Sequence, residues 1–368
     1  MKKFIYIIVF VLYFLLSSNA TAQTQQNFKP SEQKYEAVVT KVLEDKQIEI
    51  SPDVFQPYQK VEVQITNNKL KGKKIIAELG GLVVTNNNLK TKLGDRVVIT
   101  HLKKVDGSDQ FFVSDFVRKD SLFILGLAFF LAVVVIGKWR GFASFLGLYF
   151  SFLILIKFII PQIVAGANPI VIAILGSFFI ITVTLYLAHG FSKKTTAALL
   201  GTLISLVITA ALAFFFVNFL KLSGLGSEDA SFLTMTPGVK INLQGIFLAG
   251  IIIGALGVLD DITVSQSACV FELAEANRNL TWRQLYTRGL NIGKDHIASL
   301  VNTLVLAYAG ASLPLLLLFA ISGGEPISAL LNREMIAGEI VRTLVGSLGL
   351  VSAVPITTAI AASFSKNS

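Results

Sequence analysis

Hydrophobic and polar positions follow two different rhythms along this chain. Between residues 30 and 118 they alternate with period two, as in Tyr35-Glu36-Ala37-Val38-Val39, Gln47-Ile48-Glu49-Ile50, Lys60-Val61-Glu62-Val63-Gln64-Ile65, Arg96-Val97-Val98-Ile99 and Phe111-Phe112-Val113. Turn-forming clusters separate these runs: Thr66-Asn67-Asn68, Gly80-Gly81, Asn86-Asn87-Asn88 and Asp106-Gly107-Ser108. Short alternating strands with such punctuation predict a small β-barrel or sandwich, an OB-like barrel being one such arrangement. After Ser121 the alternation gives way to seven apolar runs, near 121–137, 142–164, 168–189, 195–220, 244–271, 296–321 and 337–364. Each is long enough to cross a hydrocarbon layer of ~30 Å at ~1.5 Å per helical residue. The expected fold is therefore a mainly α-helical polytopic membrane protein with a small β domain near its N-terminus.

The first residues read as a secretory signal: Lys2 and Lys3, an apolar core from Phe4 to Leu16, and Ala20-Thr21-Ala22 as a small-x-small cleavage site before Gln23. An uncleaved anchor is the alternative. Residues 23–29 form a linker, and either reading exports the β domain. With that domain outside, the spans alternate and the chain ends in the cytoplasm. Lys138, Arg140, Lys193, Lys194, Arg278, Arg283, Arg288, Lys294 and Lys366 then fall on the inner side, whereas the outer loops hold Lys221, Lys240 and Arg333, with Lys157 near the outer end of its helix. That asymmetry agrees with the tendency of basic residues to stay in the cytoplasm.

Composition sharpens this picture. The 368 residues are 53% hydrophobic and 15% charged, too little polar surface to cover a water-soluble globule, so the lipid bilayer is the first partner. The formal charge of +9 belongs with the inner loops; no basic–aromatic constellation points to nucleic acid. A single cysteine, Cys269, excludes an internal disulfide and a cysteine zinc site. His101 has no neighbours at metal-ligand spacing and reads as a surface residue. The β domain thus reads as a docking module for an exported protein or a small ligand.

The chemistry lies in the fifth run. Asp260 and Asp261 sit sixteen residues after Gln244 and eleven before Glu272, near the middle of the bilayer. Inserting two such acids costs roughly 5–7 kcal/mol if the single costs add. Intramembrane acids therefore face protein or a water path, and function is the first hypothesis. Neighbours on a helix point ~100° apart, so the two carboxyls address different surroundings, and their protons leave in coupled steps. Thr263, Ser265, Gln266 and Ser267 continue a polar stripe, and Gly250, Gly254 and Gly257 admit close approach of another helix. Candidate partners come from the next two spans. Lys294-Asp295-His296 marks the entry to the sixth, and Asn302-Thr303 lies at the depth of the acids. In the seventh, Glu339 and Arg342 form either an i,i+3 ion pair or, in the alternative, Arg342 reaches an Asp. Thr357 and Thr358 lie deeper and would line the same path. The bland reading of the acid pair is a buried element that only fixes packing.

The run Leu256-Gly257-Val258-Leu259-Asp260-Asp261-Ile262-Thr263-Val264-Ser265-Gln266, continued by Gly293-Lys294-Asp295-His296-Ile297 and by Asn302-Thr303-Leu304-Val305-Leu306-Ala307-Tyr308-Ala309-Gly310, resembles the YibE/F family of bacterial membrane proteins. An Asp-Asp pair in a span, a Glu at its inner end and a charged amphipathic stretch (here 273–295) is also similar to RND permeases and the SecD/SecF translocation motor. That similarity implies that Asp260 and Asp261 carry coupling protons or monovalent cations, with no other cofactor. Such assemblies hold two membrane units, so this chain would need a homodimer or a related half.

Three functions follow. An ion-coupled permease or translocation motor uses the acids as carriers. A non-transporting scaffold or assembly factor uses the β domain to dock an exported partner. An intramembrane aspartyl protease needs two carboxyls facing across a site; here both lie side by side on one helix, so an enzyme is not expected. No Gly-rich phosphate loop suggests a nucleotide.

Overall fold

The computed structural model describes residues 33–51, 54–80, 90–103, 108–235, 241–321 and 326–366. The signal and linker segments, the Asn86–Asn88 and Asp106–Gly107 turns and Lys240 lie outside them. The chain divides into two compact units, residues 23–132 and, chiefly, 133–368.

The first unit is a closed five-stranded barrel: β1 (Gln33–Ser51), β2 (Val54–Ile65), β3 (Lys74–Leu79), β4 (Arg96–Lys103) and β5 (Asp109–Phe116), in the order β1-β2-β3-β5-β4. Only β3 and β5 pair in parallel. Alternation places Tyr35, Ala37, Val39, Val61, Val63, Ile65, Ala77, Val97 and Ile99 inside. Burying such aliphatic side chains contributes ~1.5–3 kcal/mol each. Two of the expected strands, at 35–39 and 47–50, prove to be one. Register shifts at Val39/Lys41 and Val42/Glu44 bend β1, letting Gln33–Val38 pair β4 while Ala37–Ser51 pair β2. The Lys74–Leu79 strand was missed by the sequence reading, although Ile75, Ala77 and Leu79 alternate correctly. Gly80 has φ +81, and a β-carbon there would collide with the Pro57 carbonyl, so only glycine fits. Buried Gln59 ties the segment before β4 to the barrel: its Oε1 accepts from Thr91 N at 2.7 Å and Thr91 Oγ1 at 2.9 Å. His101 is not isolated. It lies 2.7 Å from the Asp109 carboxylate and stacks on Phe111.

Three barrel carboxyls are held below their ordinary range. The Lys90 ammonium does this to Asp45, the Thr40 hydroxyl and then Lys74 to Glu62, and the Phe116 amide to Asp115. A carboxyl with a depressed folded value stabilises above its unfolded value and loses that contribution as pH falls through the folded one. Amide exchange from β1 and β2 in the full-length protein, corrected for the intrinsic pH dependence of exchange, should therefore slow above about pH 5 and quicken toward about pH 3. Protection that is flat across this window would contradict the assignment.

The second unit is helical. α1 (Lys119–Ile154) is broken at Lys138 (φ 50, ψ −131). The β-carbon position of Gly141 falls on the Val133 carbonyl, eight residues earlier, a distance that a straight helix would stretch to ~12 Å; the chain doubles back. Expected spans one and two thus lie on either side of this break, and the second is continued by a π-type turn at Leu155–Ile159 and by α2 (Ile160–Val164). Pro161 cannot donate to the carbonyl four residues back, which favours the wider turn there. There follow α3 (Pro169–His189), α4 (Lys193–Phe219), α5 (Glu228–Thr234), α6 (Leu243–Ala276), α7 (Trp282–Ala311), α8 (Leu313–Ile321), α9 (Ile327–Leu331) and α10 (Glu334–Lys366). Polar caps set several starts: Asn168 for α3, Ser192 for α4, Asn242 for α6, and a Thr281–Gln284 capping box for α7.

Among the described residues five helical runs are long and apolar enough to cross a membrane: Lys119–Val164, α3, α4, α6 and α10. This supports a multi-pass membrane protein, and the first of these runs holds both helices that flank the break at Lys138. The sixth expected span, 296–321, is divided between the end of α7 and α8 at Ser312, where Pro314 cannot donate the next helical hydrogen bond. The amphipathic stretch 273–295 is likewise not one surface helix. It contains the end of α6, a turn at 277–281 and the first half of α7, whose Leu285, Gly289 and Gly293 are buried. Helices α4, α6 and α10 pack on one another, with α3 against α6, and α7 against α10 and α6.

Candidate functional site

Helix α6 has 34 residues, ~51 Å at the ordinary rise, and Asp260 is near its midpoint. At ~100° per residue the helix presents two distinct sides. Ile252, Leu256, Leu259, Thr263 and Gln266 are buried, while Gly250, Gly254, Gly257, Asp261 and Glu272 are exposed.

Asp260 stands at the edge of the packed face. Its Oδ1 is buried without a hydrogen-bond partner. Asp261 is exposed on the glycine side, where a methyl group added at Gly250 or Gly257 would have nothing within 4 Å and one at Gly254 only the Tyr308 hydroxyl. One acid thus meets the protein interior and the other an open helix face.

Behind Asp260 runs a seam of buried hydroxyls and amides. Thr202 Oγ1 of α4 and Thr263 Oγ1 of α6 are 2.6 Å apart. Each also has a main-chain acceptor, the Ala198 carbonyl for Thr202 and the Asp260 carbonyl for Thr263. Two hydroxyl protons thus serve three bonds, and the pair can reverse its donor direction without moving a heavy atom. Toward the end of α6, Gln266 Nε2 donates to the Gly289 carbonyl at 2.8 Å and to Thr358 Oγ1 at 2.7 Å, joining α6 to α7 and α10. Ser267 Oγ donates to the Lys194 carbonyl. Ser205, Thr209 and Thr357 are also fully buried, and Ser205 Oγ, Gln266 Oε1 and Thr357 Oγ1 lack hydrogen-bond partners.

Glycines bring the backbones together. A β-carbon on Gly201 of α4 would fall on the Thr357 hydroxyl of α10, and one on Gly349 of α10 would fall on the Thr209 hydroxyl of α4. This reciprocal Gly–Thr crossing draws α4 and α10 close, as small residues do where no hydrophobic force drives helices together. On α7, Gly293 lies against Val354 and Gln266 in the same way.

The expected partners distribute differently. Thr263, Gln266, Thr357 and Thr358 enter the buried seam. Ser265 is only partly buried, and its hydroxyl donates to the Asp261 carbonyl. Asn302 and Thr303 do not meet the acids: both are exposed, and Thr303 donates to Ser299 on its own helix. Arg342 reaches neither Asp. Its guanidinium donates to Glu339 at 2.8 Å and lies over the Phe247 ring, because the i,i+3 partner on its own helix is nearer than any acid of α6. Glu272, Lys294, Asp295 and His296 are exposed, with Lys294 donating to Asn291. Among the described residues no group of His, Cys, Asp and Glu could hold a metal ion.

The sequence reading missed the α4 side of the seam. Thr195, Thr202, Ser205 and Thr209 recur at helical spacing in an otherwise apolar run, and that stripe was the available signal.

No curated protein and no solved structure matches this chain. The model of the YibE/F-like protein family, however, matches residues 125–367. The match covers all of α3 to α10 and with them both acids and the whole buried seam, so the chain belongs to the YibE/F-like family.

Proposed function

We propose that this protein is a proton- or cation-coupled membrane permease or translocation motor of the bacterial cytoplasmic membrane, with the barrel outside and the last helix ending in the cytoplasm. The observation that carries the reading is Asp260: a carboxyl at the middle of a membrane-length helix, with an oxygen buried and unpartnered. Ser205, Gln266 and Thr357 also carry unpartnered buried atoms, but Asp260 alone among these is ionisable, and burying a charge costs far more than burying a neutral polar group. A carrier must leave the acid free to exchange its ion. Thr263 of the Thr202–Thr263 hydroxyl pair lies one turn along the same helix, donates to the Asp260 main-chain carbonyl, and gives the acid polar surroundings. Movement of one charge through the membrane is worth ~2.3 kcal/mol per 100 mV, which biases a two-state switch more than tenfold. This is the logic of RND permeases and SecD/SecF, and the proposed core is of that kind. Asp261 on its open glycine face is explained by a second membrane unit, a homodimer or a related half, that covers it.

The test is ion flux in proteoliposomes under an imposed potential. The Asp260→Asn, Asp261→Asn variant is expected to insert normally and to carry no potential-driven flux. Flux equal to wild type would refute the proposal.

A scaffold whose barrel docks an exported protein or small ligand is the second reading. It is favoured by the exposed apolar side chains Leu43, Phe55 and Ile76 on an OB-like barrel. Removal of residues 30–118 would abolish function under that reading and leave flux intact under the first.

A further inference from the structure

The end of the helical unit that carries Lys366 contains a cavity of about 610 Å³. Lys193, Lys194, Arg278 and Lys366 line it, Glu275 is the one carboxylate among its described lining residues, and fully buried Leu285 forms part of its inner wall. Among the described lining residues four cations stand against one carboxylate, a net positive charge around the cavity.

Two of the cations have local reasons to be there. Lys366 closes α10 and Arg278 follows the end of α6, positions where the helix dipole favours positive charge. The Lys366 ammonium also donates to the Arg278 carbonyl at 3.0 Å. Lys193 and Lys194 have the opposite situation. They are the first two residues of α4, directly after its cap Ser192, where the dipole disfavours cations. Retaining basic residues on one side of a membrane requires only that they lie near a helix end. It does not require four of them, from three separate segments, to converge on one space. An anion in that space would offset the repulsion among the cations and also meet the amide-rich start of α4. The wall adds a second constraint: it is apolar at Leu285 while the rim is cationic, and the cavity lies at the end of membrane-length helices.

We infer that this cavity binds a phosphate-bearing anion, with the headgroup of an anionic phospholipid as its natural occupant. Basic pockets between helix ends are the usual way a membrane protein selects such headgroups. The inference stands apart from the ion-coupled reading, because none of the cavity residues belongs to the Asp260 seam apart from the Lys194 carbonyl.

The experiment uses the full-length protein in neutral detergent, with its unfolding midpoint followed against added phosphatidylglycerol, phosphatidylcholine or inorganic phosphate. Phosphatidylglycerol is expected to raise the midpoint saturably and phosphatidylcholine to leave it unchanged. The Lys193→Gln, Lys194→Gln variant and the Arg278→Gln, Lys366→Gln variant should each weaken the apparent affinity roughly 25-fold, about fivefold per charge removed. Glu275→Gln should tighten it. If inorganic phosphate protects as well as the lipid and depends on the same residues, the site stands with free phosphate as its occupant. Protection by phosphatidylcholine equal to that by phosphatidylglycerol, or an unaltered lipid response in both double variants, would overturn the inference. Should the lysine variant fail to accumulate, an unchanged affinity in Glu275→Gln overturns it equally.

Discussion

Asparagine at position 260 is expected to reduce potential-driven flux roughly a hundredfold or more, the scale on which a positioned proton-transfer group contributes, while leaving the protein as stable as wild type or more so. The side chain keeps its shape, and a neutral amide is less costly than a carboxylate to bury at mid-helix. Asparagine at 261 should behave differently. Asp261 is exposed on the glycine face, so its neutral replacement is expected to act on pairing with a second membrane unit as well as on flux. Measuring thermal unfolding and flux on the same preparations distinguishes the readings. A carrier role gives lost flux with preserved stability at 260; a packing role gives the reverse. Equal stability losses at both positions would show that neither acid is specialised.

Widening the α4–α10 crossing should produce the largest structural defect. Gly201→Val and Gly349→Val each place branched carbons where a threonine hydroxyl of the facing helix already sits. Overpacking of this kind costs ~1–3 kcal/mol per site. The two sites clamp the same helix pair, so the double variant is expected to lose more than the sum of the single losses. Unfolding in detergent, read as a lowered midpoint and a lower yield of folded protein, checks this. Gly250→Ala and Gly257→Ala are the controls, since an added methyl meets nothing of the same chain within 4 Å there; in the separated protomer they should stay within about 0.5 kcal/mol of wild type. If Gly349→Val is as mild as Gly257→Ala, the close crossing does not hold the two helices together.

The two predictions address one arrangement. Glycines let α4 and α10 approach, that approach closes the hydroxyl seam, and the seam forms the interior against which Asp260 is set. A variant that loosens the crossing is therefore expected to lose flux as well as stability, whereas Asp260→Asn separates the two.

Much of this was legible along the chain. Alternation of Tyr35, Ala37 and Val39, or of Val61, Val63 and Ile65, names the inside of a barrel directly, because a strand has a period of two and one wet face. Apolar runs above twenty residues name membrane helices by length alone, and Asp260-Asp261 stood out because charge is expensive there. What the sequence did not reveal was orientation within the membrane helices. Lipid is as apolar as the helix interior, so hydropathy does not tell which side of α6 is buried. The tertiary structure decided that Asp260 turns inward while Asp261 turns out, that Arg342 pairs with Glu339, and that the Thr303 hydroxyl is taken by Ser299 of its own helix. It also decided that threonines sixty-one residues apart, Thr202 and Thr263, share a hydrogen bond. The physical division is between local periodicity and burial cost, which a single chain segment carries by itself, and the choice of neighbour, which exists only once helices have packed.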